Sequence, residues 1–214
     1  MHFTDEDFID PNDLRTLRLL AQFAEGQAGG YAFKYQMAPN HEVRTEALEG
    51  MLEYAYDSLV RNRHLNKKQS EDELTVQIVE QLAQFQVMAS HDTQVGGHCD
   101  ILVKGPERFQ WIAEAKIHST YGWLRDGFLQ LSTRYGTALP GQNQGEIIIY
   151  CRGSNALEVL LKWRKKLEEM EVADIIEDRS DQALWFRSCH TCSNSGLDFF
   201  IRHRIVPLHF APSK

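Results

Sequence analysis

Asp100, Glu114 and Lys116 lie in one run, CDILVKGPERFQWIAEAK, and an acid followed by Glu-x-Lys across two apolar segments can assemble a hydrolytic metal site. Ile101, Leu102 and Val103 follow Asp100, and Phe109, Trp111, Ile112 and Ala113 precede Glu114. Both acids therefore sit on short apolar runs that read as buried strands around a Gly105-Pro106 turn. Strand side chains alternate between faces, so Glu114 and Lys116 share one face, and a hairpin pairing would bring Asp100 to it. Charged groups withdrawn from water are costly unless paired or bound to a metal. Mg²⁺ would satisfy this set, because it takes one or two carboxylates plus waters and substrate phosphate. It would polarise the phosphate and acidify a bound water. Lys116 would then orient or help deprotonate that water, or stabilise charge on the phosphate. The same three residues also fit a solvated Glu-x-Lys pair on a surface strand, with Asp100 in a turn after Gly96-Gly97.

The elements that must position them read as helix, three strands, helix, strand. SEDELTVQIVEQLAQF carries Leu74, Ile78, Leu82 and Phe85 at helical spacing, and FQVMAS follows as a first strand. After the motif, Leu124, Phe128, Leu131 and Tyr135 form a second helical stripe despite Gly122 and Gly127, and EIIIYC is a buried strand. ALWF, LDFFI and RIVPLHF are short C-terminal strands that extend the sheet or form a small β appendage.

This order, with an acid on the second strand and Glu-x-Lys on the third, resembles the PD-(D/E)XK, or restriction-endonuclease-like, nuclease superfamily over residues 70 to 151. Cys99 stands where many members have Pro before the acid. The resemblance implies an αβββαβ core with a central mixed sheet, and a metal held by Asp100 and Glu114. It also implies an acid on the first core helix, for which Glu73 is the best match, and a Gln with a following Tyr on the helix after Glu-x-Lys, here Gln130 and Tyr135. The common Gln-x-x-x-Tyr spacing is stretched by one residue.

These extra residues have other readings. Ser70-x-x-Glu73 is a capping box, which gives Glu73 a structural task. Glu80 is its rival as a ligand, nearly two turns away on the same face and about 10 Å along the axis. Tyr135 fits simple core packing. Trp123, Gly127, Gln130 and Arg134 form a separate face at i, i+4, i+7 and i+11 that would suit a substrate backbone, or be an ordinary solvated face. His98 and His118 flank the motif as second-sphere or surface groups. Cys189-His190-Thr191-Cys192 lacks the second ligand pair that a structural zinc site needs, with Cys99 and Cys151 isolated and His203 a weak fourth ligand.

At 214 residues and 43% hydrophobic content the chain can bury a core and suits one elaborated domain. The expected parts are an acidic helical extension over 1–66, the core over 67–152, and a helix plus strands over 153–214 completing the same domain. MHFTDEDFID is acidic and no apolar run approaches membrane length, which argues against a signal peptide or a span. Four unpatterned cysteines suggest reduced thiols and a cytoplasmic protein.

Residues 1–60 carry eleven Asp or Glu against four Lys or Arg, whereas 61–214 carry nineteen of each. The acidic segment reads as helices over about 11–25 and 40–61, broken by Gly26, Gly29 and Gly30, and suits packing or a subunit interface rather than a polyanion. Phosphate contacts fall to Arg61, Arg63, His64, Lys67 and Lys68 before the first core helix, and to Lys162, Arg164, Lys165 and Lys166 around Trp163. Either run also fits a solvated helix face. The combined expectation is a DNA endonuclease using Mg²⁺, with Mn²⁺ as substitute, acting as a homodimer or within a larger complex, as restriction or anti-phage effectors do. The alternatives are an RNA endonuclease on the same scaffold and a non-catalytic assembly subunit.

Overall fold

The computed structural model describes residues 26–94 and 96–212. The chain forms two compact units, residues 1–51 and 52–214. The first contains α1 (Ala28–Gln36) and the start of α2 (His41–Arg61). Asn40 caps α2 by accepting from the Val43 amide at 2.9 Å, and Lys34 pairs with Glu46 at 2.8 Å. Gly29 and Gly30 do not break the chain as expected. They occupy the first turn of α1, where helical amides lack intrahelical partners in any case. The helix expected over about 11–25 lies outside the described residues.

The division falls inside α2, after Met51, and Leu52, Ala55, Tyr56 and Leu59 beyond it are buried. That unit continues through α3 (Arg63–Asn66), α4 (Glu71–Gln84), β1 (Met88–Gln94), β2 (His98–Lys104), β3 (Gln110–Ile117), α5 (Tyr121–Gln130), a π turn (Leu131–Tyr135) and β4 (Gln144–Cys151). Then come α6 (Ala156–Glu169), β5 (Asp174–Arg179), α7 (Ser180–Ala183), β6 (Trp185–Thr191) and β7 (Asp198–Pro207). The seven strands form one mixed sheet in the order β1-β2-β3-β4-β7-β6-β5, so the chain is α/β. The expected order of helix, three strands, helix and strand is the order observed.

β3 and β4 pair in parallel at the sheet centre, which is why WIAEAK and GEIIIYC are buried on both faces. On one face Ile112, Ile147, Ile149, Ile201 and Ile205 pack with Leu124 and Phe128 of α5 and Leu160, Trp163 and Leu167 of α6. On the other face the Tyr150 hydroxyl meets Thr75 of α4 at 3.0 Å, and the Tyr56 hydroxyl donates to Glu146 at 2.8 Å. Arg202 binds that Glu146 carboxylate through Nε and Nη2, at 2.9 and 2.7 Å, and donates to Glu53 at 3.1 Å. Arg204 grips Glu53 as well, at 2.8 to 3.2 Å. LDFFI and RIVP are one continuous strand, β7, and β5 is an edge strand that its polar sequence DIIEDR did not announce.

Candidate active site

β2 and β3 pair antiparallel with Leu102 opposite Ile112 and Ile101 opposite Ala113, and the ladder ends there. One residue earlier, Asp100 Oδ2 accepts from the Ala115 amide at 2.6 Å, so a carboxylate does what a ladder carbonyl would otherwise do. Glu114 and Lys116 leave β3 on the same face, and Lys116 Nζ stands 2.7 Å from Glu114 Oε1 and 4.0 Å from Asp100 Oδ2. The three motif residues are together.

The acid supplied by the first core helix is Glu71, a residue the sequence reading passed over. Glu71 Oε1 lies 3.3 Å from Lys116 Nζ, and Oε2 accepts from the Ile117 amide at 2.6 Å. Glu73, the expected ligand, is spent in the capping box: its carboxylate accepts from Ser70 N at 2.6 Å while Ser70 Oγ accepts from Glu73 N at 3.1 Å. Those bonds lower its pKa. Glu80 is exposed, two turns further along α4. The cap carried the missing signal: with the carboxylate three residues after Ser70 committed to the helix end, the free first-turn acid nearest the strand ends is Glu71.

Three carboxylates therefore surround one ammonium, largely shielded from water. Burial pushes the Glu114 carboxyl up to about 7, helped by Asp100 and opposed by Lys116. Asp100 is raised by burial too, against the pull of the Ala115 amide and Lys116. Burial alone would lower Lys116, but Glu114, Asp100 and Glu71 outweigh it and raise its pKa, so it stays charged. Glu114 Oε2 is buried without a hydrogen-bond partner. Among the described residues no three or more His, Cys, Asp or Glu side chains stand in ready metal-ligand geometry. A Mg²⁺ ion asks less, since one or two carboxylates suffice when water and phosphate complete its shell. The orphan Glu114 oxygen, in a cluster of three carboxylates and one ammonium, fits that requirement.

α5 covers the site with the face read from its sequence. A Cβ on Gly127 would lie 3.0 Å from Lys116 Cγ and 3.2 Å from Lys116 Cε, so any larger residue would press on the Lys116 stem where α5 meets it. The Trp123 ring centre is 5.1 Å from Lys116 Nζ, and Gln130 presents a buried Oε1 with no partner. Arg134 departs from this face. The helix changes to i→i+5 bonding over Leu131–Tyr135, which places Tyr135 one wide turn beyond Gln130. Tyr135 is buried and donates to His98 O at 2.7 Å, with its pKa raised first by burial and then by Glu114 and Asp100. Arg134 points outward, and its carbonyl is where a Cβ on Gly96 (φ +65°) would collide.

The two basic runs differ. On α6, Lys162 pairs with Glu158, Lys166 with Glu169, and Arg164 with Asp178 and Glu168, so that expected phosphate cluster is largely neutralised; Lys165 is exposed. Before α4, Arg63 bonds Val60 O and lies over the Phe210 ring, whereas Arg61, Lys67 and Lys68 are exposed and form no ion pair among the described residues. Lys68 is three residues from Glu71, hence at most about 11 Å from it between Cα atoms. His98 pairs with Asp92 at 2.8 Å, and His118, whose pKa burial lowers, packs on Tyr121. Cys99, Cys151, Cys189 and Cys192 are all free. No helix among the described residues is long and apolar enough to cross a membrane.

Compared with family models, curated proteins and solved structures, the chain matches none.

The helix acid supplies a direct check. Glu71→Gln should lower any metal-dependent activity about ten- to a hundredfold, as loss of a group that orients a site does. Glu73→Gln should leave activity intact and cost little stability, because Gln also serves in capping boxes. Kinetics of the two variants beside Glu80→Gln separate these outcomes, and a Glu73-dependent rate would overturn the assignment of Glu71.

Proposed function

We propose that this chain is a Mg²⁺-dependent endonuclease that hydrolyses DNA phosphodiesters, on a restriction-endonuclease-like core formed by α4, β1, β2, β3, α5 and β4. One observation carries the reading: Asp100, Glu114 and Glu71 converge on Lys116 while a buried Glu114 oxygen has no partner. Such a gathering of carboxylates, buried at Glu114 and half-buried at Asp100 and Glu71, is costly in a purely structural role. Asp100 and Glu114 would hold the Mg²⁺, with Mn²⁺ as substitute, and the bound ion would polarise the phosphate and acidify a water.

The protein's own groups do the rest. Lys116, fixed by three carboxylates and kept protonated, acts as a cation: it donates to the attacking water or to a phosphate oxygen and stabilises charge that grows in the transition state. The Ala115 and Ile117 amides lock Asp100 and Glu71, so the carboxylates are positioned before substrate arrives. Gln130, at the end of α5 with a buried, unpartnered Oε1, would be the amide that the resemblance assigns to the site. Exposed Arg61, Lys67 and Lys68 offer phosphate contacts next to α4.

Purified protein should nick supercoiled plasmid with Mg²⁺ or Mn²⁺ and not with EDTA. Cleavage of RNA alone would move the substrate to the other nucleic acid. No cleavage of either, under all divalent ions, would leave a non-catalytic subunit as the surviving reading.

A further inference from the structure

Trp123 stands beside the candidate site with much of its ring in solvent. Trp111 and Trp163 are buried, as large indoles in a sheet core should be, whereas Trp123 is 45% exposed on the first turn of α5. Its ring lies over Lys116 Nζ at 5.1 Å. That contact is not what holds the ammonium, which already has Glu114, Glu71 and Asp100 within 4.0 Å. One side of the indole meets the catalytic cation, and the exposed remainder faces solvent beside the place where the phosphate would be cut.

We propose that Trp123 is a stacking platform for an unpaired base next to the scissile phosphate, so that the preferred substrate is single-stranded or frayed DNA. This rests on the nuclease reading above. In a duplex both faces of each base are covered by its neighbours, and an indole can stack only where one is missing, as in a single strand, a flap or an end. Charge points the same way. Proteins that grip duplex DNA through its backbone spread many cations over it, but here Lys162, Arg164 and Lys166 of the α6 cluster are paired with acids, while Lys67 and Lys68 are exposed just before the helix that carries Glu71. A short cationic stretch with one aromatic platform suits a short length of single strand. Gly127 reinforces the arrangement: by letting α5 settle onto Lys116 it sets Trp123, one turn earlier, at the height of the reacting group.

The test uses the full chain in EDTA, so that binding is read without cleavage. Oligo(dT) should quench the tryptophan emission of the wild-type protein, blunt duplex of equal length should not, and Trp123→Ala should abolish the quench. With Mg²⁺, single-stranded DNA should be cut with about tenfold higher kcat/KM than duplex, the size expected of one base-aromatic stack. Trp123→Ala should bring the two substrates level and Trp123→Phe should keep most of the preference. Absence of quenching by oligo(dT), or equal cleavage of both substrates by the wild-type protein, would overturn the platform while leaving the nuclease reading intact. Loss of cleavage of every nucleic acid with the quench retained would instead sink the nuclease reading and keep the binding site.

Discussion

Lys116→Ala should reduce DNA cleavage by about a thousandfold or more and still give a folded protein. Removing one preorganised charge from a transition state costs roughly a hundred- to a thousandfold, and Lys116 also holds Glu114 and Glu71 in place. The folded variant should carry a signature in its pH dependence. Glu114 already titrates at about 7 rather than 4.5 because burial disfavours its charge. The native state therefore keeps a proton that the unfolded chain releases, and stability falls as pH rises from 4.5 toward 7. Without the ammonium the native pKa climbs further, so the fall extends to higher pH. Lys116→Ala should melt close to wild type at pH 5 and well below it at pH 8, and adding Glu114→Gln should recover the loss at pH 8. Wild-type cleavage by Lys116→Ala, or an equal deficit at both pH values, would refute this account of the site.

The second large effect lies on the opposite face of the sheet. Arg202→Met should destabilise the protein by about 3 to 5 kcal/mol, the usual cost of leaving one partner of a buried ion pair uncompensated. Arg202 and Glu146 are 2% and 0% exposed, and the guanidinium holds Glu146 through two nitrogens while reaching Glu53. Replacing Glu146 together with Arg202 by apolar residues of similar size should recover most of the loss, since a dry packed pair can match a buried salt bridge. Denaturant unfolding of the single and double variants gives the coupling directly. Additive losses would mean that the two residues act independently.

Much of this was legible in the sequence, and the misses have physical causes. Asp100, Glu114 and Lys116 could be found because strand alternation fixes which side chains share a face. α5 was legible as two faces, one for the core and one for the site, because helical spacing separates Leu124 and Phe128 from Trp123 and Gly127. Glu71 becomes legible only once the cap is used as a constraint: the Ser70 box holds the Glu73 carboxylate, which leaves Glu71 as the first-turn acid that reaches β3. The pairing of the α6 cations could only partly be read: Glu158 lies one turn before Lys162, but Asp178 reaches Arg164 from another element. β5 escaped because an edge strand needs little apolar sequence.

The π turn after Gln130 also decides where α5 is fastened. It ends on Tyr135, whose hydroxyl donates to His98 O at 2.7 Å, and His98 opens the strand that carries Asp100. The far end of the helix and the start of that strand are thus joined by one hydrogen bond, while Leu124 and Phe128 ahead of the turn are packed in the core.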